Sequence, residues 1–248
     1  MRSELTLPTK ILLILRSSIF FLVFIISILF YALLSLFAYP LPFNKRYWFL
    51  TSWADLNIWW LKLVCKLDYR VEGLENIPKQ ASIVISNHQS TWETLAFKKF
   101  FPPVAWVVKR ELLWIPFFGW GLSMAEPIAI NRRSGQKAIE QILNQGSKRL
   151  EAGRWIIVFP EGTRVAPGKK RRYKLGGAVI ASRTQVPVVP VAHNAGLFWP
   201  RRKFIKYPGT ITVCIGPAID SRGKKPDAIN AEAKTWIEAK LEQIGQRV

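Results

Sequence analysis

A chain of 248 residues and 28.5 kDa can bury one full core with a small appendage, and its two cysteines, Cys65 and Cys214, are too few for a disulfide framework or a cysteine-based metal cluster. Half of the residues are hydrophobic and the mean hydropathy is +0.12, high for a soluble enzyme. Lys and Arg outnumber Asp and Glu by 36 to 16, and the resulting +20 favours polyanionic surroundings: nucleic acid, anionic lipid headgroups or an acidic carrier. Eleven Trp and fifteen Phe tilt that choice toward a membrane surface.

From Ser17 to Tyr39 the chain carries no charge and is dominated by Ile, Leu and Phe. A helix over 17–39 spans ~34 Å, enough for a hydrocarbon layer of ~30 Å. The run is too long for a signal-peptide core and no small-residue cleavage site follows it, so it is expected to be retained. Arg2, Lys10 and Arg16 precede it while Lys45 and Arg46 follow, which leaves two topologies open. The segment either spans once or enters and returns on the same side. Residues 48–67 interleave Trp48, Trp53, Trp59, Trp60 and Leu63 with Asp55, Lys62 and Lys66. This reads as a helix lying in the interface with snorkelling lysines, or as an ordinary amphipathic helix packed on the domain. Residues 1–67 thus read as a membrane anchor and 68–248 as a separate catalytic domain.

Beyond Asp68 strands and helices alternate. Strands are expected at 68–73, 81–86, 104–109, 155–159, 186–191 and 210–216. Helices are expected at 90–100, at 134–150 with Ser134 as cap and Gly153 beyond its end, at 176–183 and at 227–244. Pro127–Ile130 is strand-like as well. The pattern argues an α/β domain around a largely buried sheet.

Only two histidines occur, and His88 sits where the strand at 81–86 hands over to a helix, a common mount for a catalytic side chain. Glu93 follows five residues later. Within one continuous helix the two would stand about 140° apart, so they meet only if His88 precedes the first turn and Glu93 lies in it. A cap at Ser90 gives that arrangement, although Ser90-x-x-Glu93 is also a capping box in its own right. Phe159-Pro160-Glu161-Gly162-Thr163-Arg164 follows another strand, placing Glu161 and Arg164 at a carboxyl end, where open α/β sheets bind ligands. Arg164 suits a phosphate and Gly162 allows close backbone approach. Lys109 and the pair Arg132-Arg133 also follow strand-like runs, and together these basic groups suggest a phosphate pocket. Leu112–Leu122 is rich in Trp, Phe and Leu and reads either as an acyl groove or as plain core.

Asn87-His88-Gln89-Ser90-x-x-Glu93, Lys109-x-Glu111-Leu112, the block from Phe159 to Arg164, and Val186-Pro187-Val188-Val189-Pro190-Val191 resemble the four ordered blocks of the glycerolipid acyltransferase family. The resemblance runs from about Asp68 to Gly216. It implies a largely buried mixed sheet flanked by helices, and acyl transfer from acyl-CoA or acyl-carrier protein to the free hydroxyl of a lysophospholipid. His88 then becomes the general base and Glu93 its orienting acid. Phosphate binding falls on Lys109, Arg132, Glu161, Gly162, Thr163 and Arg164. Glu93 stands where the family more often has Asp, which adds one methylene to the pair. The expected acceptor is 1-acyl-sn-glycerol 3-phosphate, with another lysolipid or a lipid A-type acceptor as the alternative.

No Gly-x-Ser-x-Gly elbow surrounds Ser90, so no acyl-enzyme is expected. Neither a metal nor another cofactor is expected beyond the thioester co-substrate. Membrane lipids are the expected surroundings and nucleic acid is not an expected partner, since no recognised nucleic-acid-binding signature occurs. A non-catalytic membrane-tethered lipid- or nucleic-acid-binding protein is the reading from another class. The location of thioester donors implies a catalytic domain facing the cytoplasm, at a bacterial inner membrane.

Overall fold

The computed structural model describes residues 6–131 and 134–245. Seven strands form one sheet: β1 (Leu67–Glu72), β2 (Ile83–Ser86), β3 (Val104–Lys109), β4 (Ile128–Ile130), β5 (Trp155–Val158), β6 (Val188–His193) and β7 (Gly209–Ile215). Their order is β1-β7-β6-β2-β5-β3-β4, and every pairing is parallel except β6 with β7. The sheet is therefore mixed, flanked by helices and largely buried, as the sequence implies.

Alternation along the strands divides the core in two. In β2, Val84 joins Trp92, Phe97 and the strand residues Ile157 and Val189 on one face, while Ile83 and Ile85 join Ile156, Ile180 and Ile237 on the other. The second face is covered by α5 (Gln136–Glu151), α6 (Gly176–Thr184) and α7 (Pro226–Gly245). The first is covered by α1 (Leu7–Ala38), α2 (Phe43–Cys65) and the short α3 (Trp92–Ala96).

Helix α1 starts ten residues before the uncharged run, because Lys10 and Arg16 mark the edge of an apolar layer and not the edge of a helix. It is long and apolar enough to cross a membrane, and most of its apolar surface is exposed. Helix α2 starts at Phe43, so residues 44–47 lie in its first turn and the link from α1 is Tyr39–Pro42. Its Tyr47, Ala54, Ile58 and Leu61 enter the core while Trp48, Trp59 and Leu63 face outward. The reading of an amphipathic helix packed on the domain holds for its inner face. Glu126, after helix α4 (Phe118–Met124), staples α2 to the sheet by receiving Arg46 at 2.9 Å, Arg154 at 3.0 Å and Arg149 at 3.3 Å. Lys98 and Lys99 both reach Asp55 on α2.

Other elements differ from expectation: the helix expected at 90–100 is α3 followed by a 3-10 turn over Phe97–Lys99. Helix α5 begins at Gln136 with Gly135 (φ +51°), not Ser134, at its N-cap. The segment after β3 is not one apolar stretch but a 3-10 turn over Arg110–Trp114 followed by α4.

Candidate active site

Strands β2, β5 and β6 run parallel, so their carboxyl ends meet on one edge of the sheet. Asn87 locks this edge. Its Nδ2 donates to the His193 carbonyl at 2.9 Å and its Oδ1 accepts the His193 amide at 3.0 Å. His193 is fully buried and donates from Nε2 to the Asn87 carbonyl at 2.9 Å, while its Nδ1 accepts the Ala195 amide at 3.3 Å. Burial lowers its pKa, and both ring nitrogens are spent on the backbone as a neutral imidazole requires. The second histidine shapes the turn that carries the first.

His88 stands before α3 and Glu93 in its first turn, the placement their five-residue spacing demands. His88 Nδ1 lies 2.8 Å from Glu93 Oε1. The same oxygen accepts the amides of Gln89 and Ser90, each at 2.8 Å. Glu93 reaches back to the Ser90 amide as a capping box requires, but Ser90 Oγ accepts the Trp92 amide at 3.2 Å and the helix N-cap is Thr91, not Ser90. Glu93 is fully buried. Burial alone would raise its pKa, but the neighbouring imidazoles and the donated amides outweigh it and hold the carboxyl below the usual range. The His88 ring stacks on Phe159 with centroids 4.2 Å apart and planes at 15°. With Nδ1 committed to Glu93, Nε2 is the nitrogen left to exchange a proton.

The loop after β5 wraps this turn. Glu161 Oε2 accepts the His88 amide at 2.6 Å, and the Val165 amide donates to the His88 carbonyl at 2.7 Å. Glu161 therefore faces the His88 backbone, buried, instead of opening to an anion. Burial, with the Glu93 charge adding to it, pushes its carboxyl up to about 8. Gly162 turns the loop at φ +70°, and Thr163 is partly exposed on the same turn. Arg164 Nη1 donates to Thr91 Oγ1 at 2.7 Å, which brings the guanidinium to the catalytic turn; burial lowers its pKa. Lys109 ends β3 on the same sheet edge, paired with Glu111 at 3.1 Å and drawn into no contact with this cluster. Arg132 lies outside the described residues. Among the described residues no group of three or more His, Cys, Asp and Glu is placed to hold a metal ion.

His88 opens onto a cavity of about 440 Å³, within the roughly 300–1,000 Å³ of small-molecule sites. Its walls are apolar: Leu112, Phe118, Gly121 and Leu122 on one side, Phe24 and Ile28 of α1 on another. Of the residues that build the site, Asn87 and Phe159 lie in motif blocks and His193 just beyond one, and nothing in the sequence announces the hydrogen bonds between Asn87 and His193 across 106 residues.

A histidine paired with a buried carboxylate, set at the carboxyl edge of parallel strands and opening on an apolar cavity, defines an enzyme that moves a proton beside an apolar substrate. The model of the Acyltransferase family matches residues 68–194, and the chain belongs to that family. The 1-acyl-sn-glycerol-3-phosphate acyltransferase of Pseudomonas aeruginosa is 43% identical over 241 residues, 94% of each chain. That of Saccharomyces cerevisiae is 34% identical over 148 residues, 57% of this chain and 48% of the yeast one. The crystal structure of the 1-acyl-sn-glycerophosphate (LPA) acyltransferase PlsC from Thermotoga maritima superposes with a TM-score of 0.79 at 26% identity, covering 95% of this chain and 97% of that one.

The raised Glu161 carboxyl has a signed consequence. The folded chain holds its proton between about 4.5, its ordinary value, and about 8, whereas the unfolded chain has released it. Stability contributed by the neutral acid is present below that window and is lost as pH rises through it. Glu161→Gln, which mimics the neutral acid, is expected to melt with the wild type near pH 5 and above it beyond pH 8. Melting curves in detergent across that range check this; identical curves at every pH refute the buried neutral acid.

Proposed function

We propose that the chain transfers an acyl group from a thioester, acyl-CoA or acyl-carrier protein, to the sn-2 hydroxyl of 1-acyl-sn-glycerol 3-phosphate, giving phosphatidic acid for phospholipid biosynthesis. The observation that carries it is the His88–Glu93 pair at the mouth of the apolar cavity. An alcohol is a poor nucleophile, and His88 Nε2 removing its proton during attack contributes about 10²–10⁴-fold. The hydroxyl oxygen bonds to the thioester carbon, and the tetrahedral adduct collapses with loss of the thiolate. The imidazolium then returns the proton to sulfur. Glu93 fixes the tautomer and stabilises the imidazolium, as the acid does in a hydrolase triad, while the substrate hydroxyl replaces the enzyme's nucleophile. Arg164 is the group best placed for the acceptor phosphate, and the cavity takes an acyl chain.

The test uses purified protein in detergent with acyl-CoA or acyl-carrier protein and three separate acceptors: lysophosphatidate, a headgroup-bearing lysophospholipid and a lipid A precursor. Lysophosphatidate is expected to be acylated, with kcat/KM falling about 10²–10⁴-fold in His88→Ala. Turnover unaffected by that substitution ends the mechanism, and transfer to another acceptor moves the substrate pocket.

Gly121 lines the cavity, and a Cβ added there would meet nothing within 4 Å. Gly121→Leu is expected to turn the enzyme toward shorter acyl chains, by roughly ten-fold or more against the longest one used. Competition between acyl-CoA lengths measures this; an unchanged length profile places the acyl chain elsewhere.

The chain is proposed to sit at the cytoplasmic face of a bacterial inner membrane. Ser17 and Phe20 near one end of α1, and Tyr31 toward the other, all touch the rest of the protein, at Lys206, Trp199 and Ser52. That supports a helix lying along the domain over a helix crossing away from it. A cysteine introduced at exposed Leu41, with Cys65 and Cys214 buried, is expected to react in sealed vesicles from the side that also exposes the catalytic domain. Labelling from the opposite side makes α1 a full span.

A further inference from the structure

The turn between β6 and β7 carries Arg201, Arg202 and Lys203 and belongs to none of the four sequence blocks. Arg201 Nη1 donates to the backbone carbonyl of Arg164 at 2.7 Å, and Arg164 in turn reaches Thr91 beside His88. Two partly buried guanidinium groups are thus tied to the catalytic turn, with exposed Arg202 behind them. None of the ion pairs among the described residues involves Arg164, Arg201 or Arg202. Burial lowers the pKa of Arg164, the Glu93 charge opposes it, and the charges of Arg201 and Arg202 add to the lowering. Like charges gathered with no carboxylate in direct contact are costly to hold, and an anion between them relieves the cost.

The same turn is fastened to α1. The Lys206 amide donates to Ser17 Oγ at 3.0 Å, Phe204 stacks on Phe21 at 5.3 Å and 8°, and Trp199 meets the edge of Phe20 at 5.3 Å. The Lys206 ammonium lies 3.7 Å from the Phe21 ring centroid. Ser17 opens the charge-free run directly after Arg16, which is where a membrane helix passes from headgroups into hydrocarbon. The turn is held at that level.

We propose that Arg201 binds the phosphate monoester of the acceptor lipid, completing with Arg164 a two-arginine cradle at headgroup depth, so that this turn reads the charge and size of the headgroup. Planar guanidinium donors suit a phosphate dianion, and two of them offer more donors than one arginine can. The inference rests on the proposed reaction, and its test separates the two.

Acylation of 1-acyl-sn-glycerol 3-phosphate is measured in wild type, Arg201→Gln and Arg201→Lys. Binding of the same lipid is measured by calorimetry on His88→Ala with and without Arg201→Gln. Gln removes the charge and Lys keeps it, so a loss that Lys partly restores belongs to the charge. The expected result is a roughly ten-fold rise in KM in Arg201→Gln with kcat held within about two-fold, Arg201→Lys in between, and binding weakened by the same factor. Unchanged KM and binding overturn the cradle. So does a fall in kcat at constant KM, which makes Arg201 a prop for the Arg164 turn. If the wild type fails to acylate this lipid while His88→Ala binds it through Arg201, the proposed reaction falls and the cradle stands. Neither turnover nor Arg201-dependent binding overturns both.

Discussion

The structure depends on one buried charge. Removing a carboxylate from water costs several kcal/mol unless its oxygens are well supplied with donors. Glu93 is fully buried, and a single oxygen takes the His88 ring and the amides of Gln89 and Ser90. Those three donors come from three consecutive residues, so satisfying the charge forces the chain from 88 to 90 to curl around it. The curl is what turns the imidazole outward. Orientation of the base and supply of donors to one oxygen of the acid are therefore achieved by the same three contacts.

Around that turn the surroundings are arranged by polarity. On one side the walls are leucine and phenylalanine from α4, α1 and α2; on another stand Arg164 and Arg201. A glycerol phosphate ester has the same division, with a charged end, a hydroxyl between and hydrocarbon beyond. The loop from Phe159 to Val165 connects the two sides, since Phe159 stacks on the imidazole, Glu161 holds its backbone and Arg164 reaches toward the polar region. Moving any one of these residues moves the others, because they share six positions of one chain.

Much of this was legible in the sequence where the signal was local. The strand at 104–109 was read at both of its ends, and the others within two residues, because β-branched runs bounded by turns leave few alternatives. Helix geometry gave the condition for a His88–Glu93 contact, and the family resemblance gave the pair its roles. What escaped was non-local or masked by composition. Asn87 and His193 bind each other across 106 residues, and nothing in either neighbourhood encodes a partner that distant. The start of α1 escaped because a charge ends a membrane layer without ending a helix. The division of 110–124 into a 3-10 turn and a helix escaped because uniform hydrophobicity hides a break that Pro116 and the left-handed Phe117 (φ +64°) impose.

The first helix illustrates why composition alone misjudges such a segment. Its uncharged run looks like a tether whose sequence matters only for apolarity. Yet Phe24 and Ile28 form part of the cavity wall, and Ser17, Phe20 and Phe21 hold the turn that carries Arg201. These contacts fall on successive turns of one stripe, while Leu22, Ile25, Leu29 and Leu33 face outward. One face is therefore exposed and apolar, and the other packs against the site. A helix long and apolar enough to cross a membrane thus also supplies part of the cavity wall and anchors the turn before β7, so its sequence is constrained on one face by packing and on the other only by apolarity.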